Sequence, residues 1–175
     1  KRNSLTPSNR NHNIGFRVGF QFTGTHSVDL NATVQLEMLW VEPGTFTMGS
    51  PTTEAGRNAD REDEHDVTLT QGFYLSKYEV TQAQYEAVMA GYNPSQFNAI
   101  GNGNRPVEKV TLTEAAAFCT QLTTQEQNAG RLPAGWAYVL PTEAQWEYAC
   151  RAGTTTAFSW GNDSNASRGN SNQSG

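Results

Sequence analysis

The sequence has few cysteines, little excess charge of either sign and no long apolar run. Two cysteines among 175 residues cannot form the set of several disulfides that stabilises many small secreted domains. The 17 acidic and 12 basic residues, with no basic patch, argue against a nucleic-acid partner. Apolar runs such as Met38–Val41 are far shorter than the roughly 20 residues of a membrane-spanning helix. The composition therefore predicts neither a disulfide scaffold nor a nucleic-acid or membrane partner.

The length permits one domain of ordinary size with its own core. The chain begins with Lys1, and residues 1–15 contain no apolar stretch of the kind found in a signal peptide. We therefore expect either a mature product or a piece of a longer chain, and we favour the piece. The sequence leaves the compartment open, with export as one alternative.

Three helices are predicted by one local signal, a threonine followed three positions later by glutamine or glutamate. This spacing lets the threonine hydroxyl accept a hydrogen bond from the third helical N–H, while the longer side chain reaches back to the threonine. The signal occurs at Thr81–Gln84, Thr111–Glu114 and Thr142–Gln145. Each threonine is therefore predicted to cap a helix that follows it.

Apolar spacing predicts which faces of the second and third helices are buried. The stripe predicted for the second helix consists of Ala115, Phe118, Cys119 and Leu122. In the third helix, Trp146, Ala149 and Cys150 share one face and are expected to pack on a core. Glu147 and Arg151 are expected to point away from it.

Short strands and two loops complete the local prediction. Met38–Val41 and Thr45–Met48 flank the turn signal Glu42-Pro43-Gly44, which predicts a hairpin. Further strands are predicted at Val67–Leu69 and Phe73–Leu75. Asp60–Asp66 is too densely charged for a core, and residues 91–104 are rich in Gly and Asn. Both are predicted to be loops, and the whole indicates an α+β fold.

The stretch 140–153, LPTEAQWEYACRAG, resembles the signature of the formylglycine-generating, sulfatase-modifying-factor family. Further family motifs occur in the same order: FTMGS at 46–50, EH at 64–65, YEVT at 78–81 with Tyr85, PV at 106–107 and WG at 160–161. The resemblance covers residues 36–170. It implies an α+β domain related to C-type lectins, with short strands, about three helices and a largely irregular chain.

The resemblance also implies an unusual domain order. Residues 1–21, with Arg2, Pro7 and Gly15-Phe16-Arg17, resemble the C-terminal tail of a preceding copy of the domain. Residues 22–35 have the composition of a linker, and residues 36–175 resemble the N-terminal half of a sulfatase-modifying-factor domain. We favour a junction between tandem domains over the alternatives, a permuted domain or a truncated gene.

Enzymes of this family oxidise a cysteine of a sulfatase peptide to formylglycine with two cysteines that bind copper. The resemblance places those two cysteines in the half of the domain that this chain does not match, so no catalytic residue is assigned and copper is not supported. Cys119 and Cys150 match positions that form structural disulfides in some members. The expected partners would fall at Val18 and just before Lys1, so both cysteines are predicted to be buried free thiols.

The sequence contains two candidate metal sites. The family coordinates calcium through an Asn after its WG motif and through the next carbonyl, which implies that Asn170 and Ser171 supply at most half of a calcium site. His65 lies between Glu64 and Asp66, but adjacent strand side chains point to opposite faces. A solvated acidic loop is favoured there.

Three functions follow from the resemblance. The first is a partial formylglycine-generating domain, inactive alone, whose full-length partner would be a sulfatase peptide. The second is a non-catalytic C-type-lectin-like module that binds a protein or glycan, and the third is a scaffold. Trp146, Tyr148 and Trp160 suit either a ligand platform or a core, and core packing is favoured for Trp146.

Overall fold

The computed structural model describes residues 19–20, 26–54, 56–158 and 161–162, with backbone alone at 19–20. Within these residues it forms short antiparallel strands and three helices, which confirms the α+β prediction. The chain divides into two compact units. One holds the described residues of 43–70 and 142–162, and the other those of 19–42 and 71–141. No helix in the described part is long and apolar enough to cross a membrane.

The larger unit contains a four-stranded antiparallel sheet and two helices. Its strands are β1 (Gly19–Phe20), β2 (His26–Asp29), β3 (Gln35–Val41) and β6 (Phe73–Ser76), in the order β1-β6-β3-β2. Val28 and Leu36 are opposite each other in the β2–β3 pair, and both are buried. Residues 26–29, within the interval whose composition is that of a linker, therefore contribute a strand with a core residue.

Helices α1 (Gln82–Val88) and α2 (Leu112–Asn128) contribute to this core, together with residues of the connecting segments such as Val107 and Tyr138. The predicted stripe of α2 is confirmed, since all four of its residues are buried. The ring of Phe118 stacks on Tyr85 of α1 with centroids 5.5 Å apart. Gly72 is required beside this core because a Cβ there would lie 2.2 Å from the Trp40 ring.

The smaller unit contains β4 (Gly44–Met48) paired with β5 (His65–Leu69), followed by α3 (Glu143–Arg151). Strands lie on either side of Glu42-Pro43-Gly44, as predicted. They do not form the predicted hairpin with each other, because β3 pairs with β2 and β6. Polar side-chain contacts stabilise the pairing of β4 with β5. The Thr45 and Thr68 hydroxyls are 2.9 Å apart, and the Thr47 hydroxyl donates to Asp66 over 3.0 Å.

All three predicted capping boxes are present. Thr81, Thr111 and Thr142 each accept a hydrogen bond from the N–H three residues on, and the side chain at that position accepts one from the threonine N–H. Each box therefore satisfies two backbone donors that the helix itself leaves unbonded.

Candidate binding site

Glu147 and Arg151 of the signature helix α3 form hydrogen bonds with the backbone of the turn that follows β4. The Glu147 carboxylate accepts hydrogen bonds from the Gly49 N–H over 2.9 Å and from Arg151 Nε over 2.9 Å. Arg151 also donates to the Gly49 carbonyl. A Cβ at Gly49 would lie 2.6 Å from the Asp63 carbonyl oxygen, and its φ is +111°, so the turn requires glycine. The motif at 46–50 and the signature helix thus form one structural clamp.

The prediction that Trp146, Ala149 and Cys150 form the buried face of α3 is wrong. Glu147 is only 4 % exposed, whereas Trp146 is 45 % exposed and Cys150 is also exposed. A carboxylate that accepts several charge-assisted hydrogen bonds can occupy an interior position that apolar spacing assigns to a hydrophobic residue. The polar side of α3 is therefore the side that packs, together with Tyr148, whose ring lies 5.2 Å from that of Phe46.

The two cysteines are both free, in different environments. Cys119 is buried in the core of the larger unit, and burial raises its thiol pKa to about 12. A thiol in this buried position packs as a small apolar core residue. The predicted buried thiol is thus confirmed at Cys119 and wrong at Cys150.

The described residues contain no group of three or more His, Cys, Asp or Glu side chains arranged to hold a metal ion. His65 begins β5 as an exposed side chain, with Nδ1 2.9 Å from the Asp63 carbonyl oxygen. Asn170 and Ser171, as well as Trp160, lie outside the described residues. The calcium half-site at Asn170 and Ser171 stays a prediction.

An open groove of about 500 Å³ lies on the larger unit. Residues 33–37 form one wall, Tyr78 and Glu79 with the start of α1 form another, and Asn104 and Pro106 complete it. Gln84 joins two walls, since its side-chain amide donates to the Gln35 carbonyl over 2.7 Å. The groove is assembled from segments distant in sequence, so the sequence contained no local signal for it.

A charged pair borders the groove. Lys77 Nζ lies 2.9 Å from a Glu37 carboxylate oxygen and 5.2 Å from the centroid of the Tyr78 ring. The hydrogen bond to Glu37 raises the pKa of Lys77. Tyr78 is largely exposed, so its ring is available on the protein surface. Tyr78 and several polar residues therefore line an open groove.

Next to the groove, residues 91–104 form the predicted loop between α1 and α2, which we call the 91–104 loop. Its end is bonded to the start of α1, because the Ala83 N–H donates to the Gly103 carbonyl over 2.9 Å. Ala83 and Asn104 also line the groove. The loop and the groove therefore form a continuous surface of the larger unit.

The described residues form an α+β fold of short antiparallel strands and three capped helices. The model of the sulfatase-modifying factor enzyme 1-like domain matches residues 27–174. The chain belongs to this family, as the motifs at 46–50 and 140–153 predicted.

Two curated proteins are similar to the chain. A chaperone protein LppX of Paenibacillus barcinonensis is 34 % identical over 148 residues, which are 70 % of this chain and 48 % of that protein. A formylglycine-generating enzyme of Mus musculus is 26 % identical over 175 aligned positions, covering 72 % of this chain and 43 % of the enzyme. The chain thus spans somewhat less than half the length of these relatives.

Two solved structures share the fold. Variable protein 1 of Treponema denticola matches with a TM-score of 0.68 and 25 % identity, over 84 % of this chain and 63 % of that one. PvdO of Pseudomonas aeruginosa matches with a TM-score of 0.56 and 22 % identity, over 83 % and 58 %. These matches agree with the family assignment.

Proposed function

We propose that this chain is a polypeptide-binding domain of the sulfatase-modifying-factor family. The observation that carries the proposal is the open groove on the larger unit, about 500 Å³ in volume. Its lining includes the polar residues Thr33, Gln35 and Asn104 together with Tyr78. Hydroxyls and amides can bond both the N–H and the C=O of an extended peptide, while the ring packs on an apolar side chain.

The comparisons support a polypeptide as the ligand. One curated relative is named as a chaperone protein, and the family resemblance implies a sulfatase peptide as substrate for the catalytic members. The buried Cys119 thiol packs in the core and is not among the residues that line the groove. The groove therefore supports binding without a thiol reaction.

The first test is binding of the full chain to an array of 13-residue peptides of varied composition. We expect saturable binding to a subset of peptides, and Tyr78→Ala should weaken it about tenfold because a central aromatic contact is lost. Leu39→Ala is the matched control, since Leu39 is an exposed apolar residue of the same unit that does not line the groove. Binding to a glycan array with no peptide bound would contradict the proposal.

We further propose that formylglycine formation requires residues outside this chain. Incubation of the chain with copper, oxygen and a peptide containing C-x-P-x-R should yield no aldehyde, because the copper site that the resemblance implies takes two cysteines, and one of the two in this chain, Cys119, is buried in the core. Mass spectrometry with an aldehyde-containing reference peptide would establish that the product is detectable. Formation of formylglycine by the chain alone would refute the proposal.

A further inference from the structure

His26 connects the strand β2 to two buried tyrosines of the larger unit. Within the described sheet, β2 lies at one edge, beside β3. The half-buried His26 is on the same face of β2 as the buried Val28, and its Nε2 lies 3.4 Å from the hydroxyl oxygen of Tyr138. The His26 ring is also 5.9 Å from the ring of Tyr74 in β6. Since both tyrosines are buried, His26 fixes an edge strand to the core.

The charged groups around this contact already have partners or lie on the other face of the sheet. The buried Glu126 carboxylate of α2 accepts hydrogen bonds from Arg131 Nε over 2.9 Å and from Arg131 Nη2 over 2.6 Å. Arg131 also interacts electrostatically with Asp29 of β2. Glu37 of β3, next to the residue opposite His26, is exposed on the other face. A positive charge on His26 would therefore meet a carboxylate, Glu126, whose charge Arg131 already compensates.

Burial makes protonation of His26 unfavourable in the folded chain. It lowers the pKa of His26 below the ordinary value of 6.5, and the negative charge of Glu126 offsets only part of this effect. When β2 opens or the chain unfolds, the imidazole is hydrated and takes up a proton at its ordinary pKa. The open form therefore binds more protons below pH 6.5. The stability that neutral His26 contributes is present above this pH and is lost as the pH falls through the pKa of the folded state.

We infer that the contact of His26 with Tyr138 is acid-sensitive, so that it holds the edge strand β2 on the core at neutral pH and opens on acidification. A protonated imidazole regains its hydration only when β2 separates from the two tyrosines. β2 is the element that can separate, because it has four residues and lies at the edge of the described sheet. Residues 35–37 of β3, which pair with β2, line the groove, but the inference does not depend on the proposed function.

The test follows the opening of β2 by amide hydrogen exchange of residues 26–29 between about pH 7.5 and about pH 5.5, corrected for the intrinsic pH dependence of exchange. In the wild-type full chain, the equilibrium constant for opening should rise on acidification. His26→Gln keeps a polar side chain that takes up no proton, so this rise should be lost. His65→Gln is the matched control, because it makes the same change at an exposed histidine of β5 and should respond as the wild type does.

An NMR titration of the His26 imidazole is the second measurement. A midpoint below 6.5 is expected, and a midpoint at or above 6.5 would overturn the inference. An equal rise in opening in the wild type and in His26→Gln, or no rise in the wild type, would also overturn it. If His26→Gln does not fold, the wild type decides, because the opening of β2 must then level off once the folded-state imidazole is protonated. A response that continues unchanged below that midpoint would contradict the role of His26.

Discussion

Replacing Arg151 with methionine is expected to lower the free energy of unfolding of the unit that contains α3 by about 3–5 kcal/mol. The Arg151 guanidinium donates to the Glu147 carboxylate over 2.8 and 2.9 Å and to the Gly49 carbonyl. Methionine keeps much of the side-chain volume but leaves the Glu147 carboxylate buried without its cation. An uncompensated buried charge is the costliest result of breaking such a pair.

Two further variants test whether the lost stability comes from the buried ion pair. Arg61→Met removes the same charge from an exposed side chain of the same unit and should leave unfolding unchanged. Arg151→Lys keeps the charge but cannot reproduce the planar pair of hydrogen bonds, so its loss should be intermediate. Urea unfolding, with hydrogen exchange of residues 143–151 as a local readout, measures all three. Equal stability of Arg151→Met and Arg61→Met would contradict the clamp.

The helix-start signals, which are contained within a few consecutive residues, led to correct predictions. The capping boxes of α1, α2 and α3 depend on a threonine and a residue three positions later, so no distant contact was needed to recognise them. The buried stripe of α2 was also predicted, because α2 spans 17 residues and its apolar spacing recurs over several turns. The family assignment followed from longer strings of the same local kind.

Features that depend on distant partners were not predictable. The buried position of Glu147 requires the Gly49 N–H, which lies 98 residues away, and no pattern within α3 indicates that donor. The turn signal at Glu42-Pro43-Gly44 was compatible with a hairpin, but β4 pairs with β5 through contacts such as Thr47 with Asp66. The groove likewise requires β3, α1 and Pro106 to meet. Tertiary contacts decided each of these features.

The second large effect is expected in the core of the larger unit, where Leu122→Ala should cost about 2–5 kcal/mol of unfolding free energy. Leu122 is fully buried on the α2 stripe, beside the core that contains Phe118. Alanine removes the apolar contacts of the side chain and leaves a cavity that a closely packed interior refills only in part. The helix itself is little affected because alanine favours helices.

Leu112→Ala is the matched control, since it makes the same chemical change in the same helix at a position that is 40 % exposed. It should cost less than about 1 kcal/mol, because a partly exposed side chain loses fewer contacts and leaves no closed cavity. Urea unfolding followed by far-UV circular dichroism measures both variants. The sheet and both helices of this unit share one core. The Leu122 substitution should therefore also destabilise the elements that form the groove. Equal losses at the two leucines would show that α2 is not anchored through its predicted stripe.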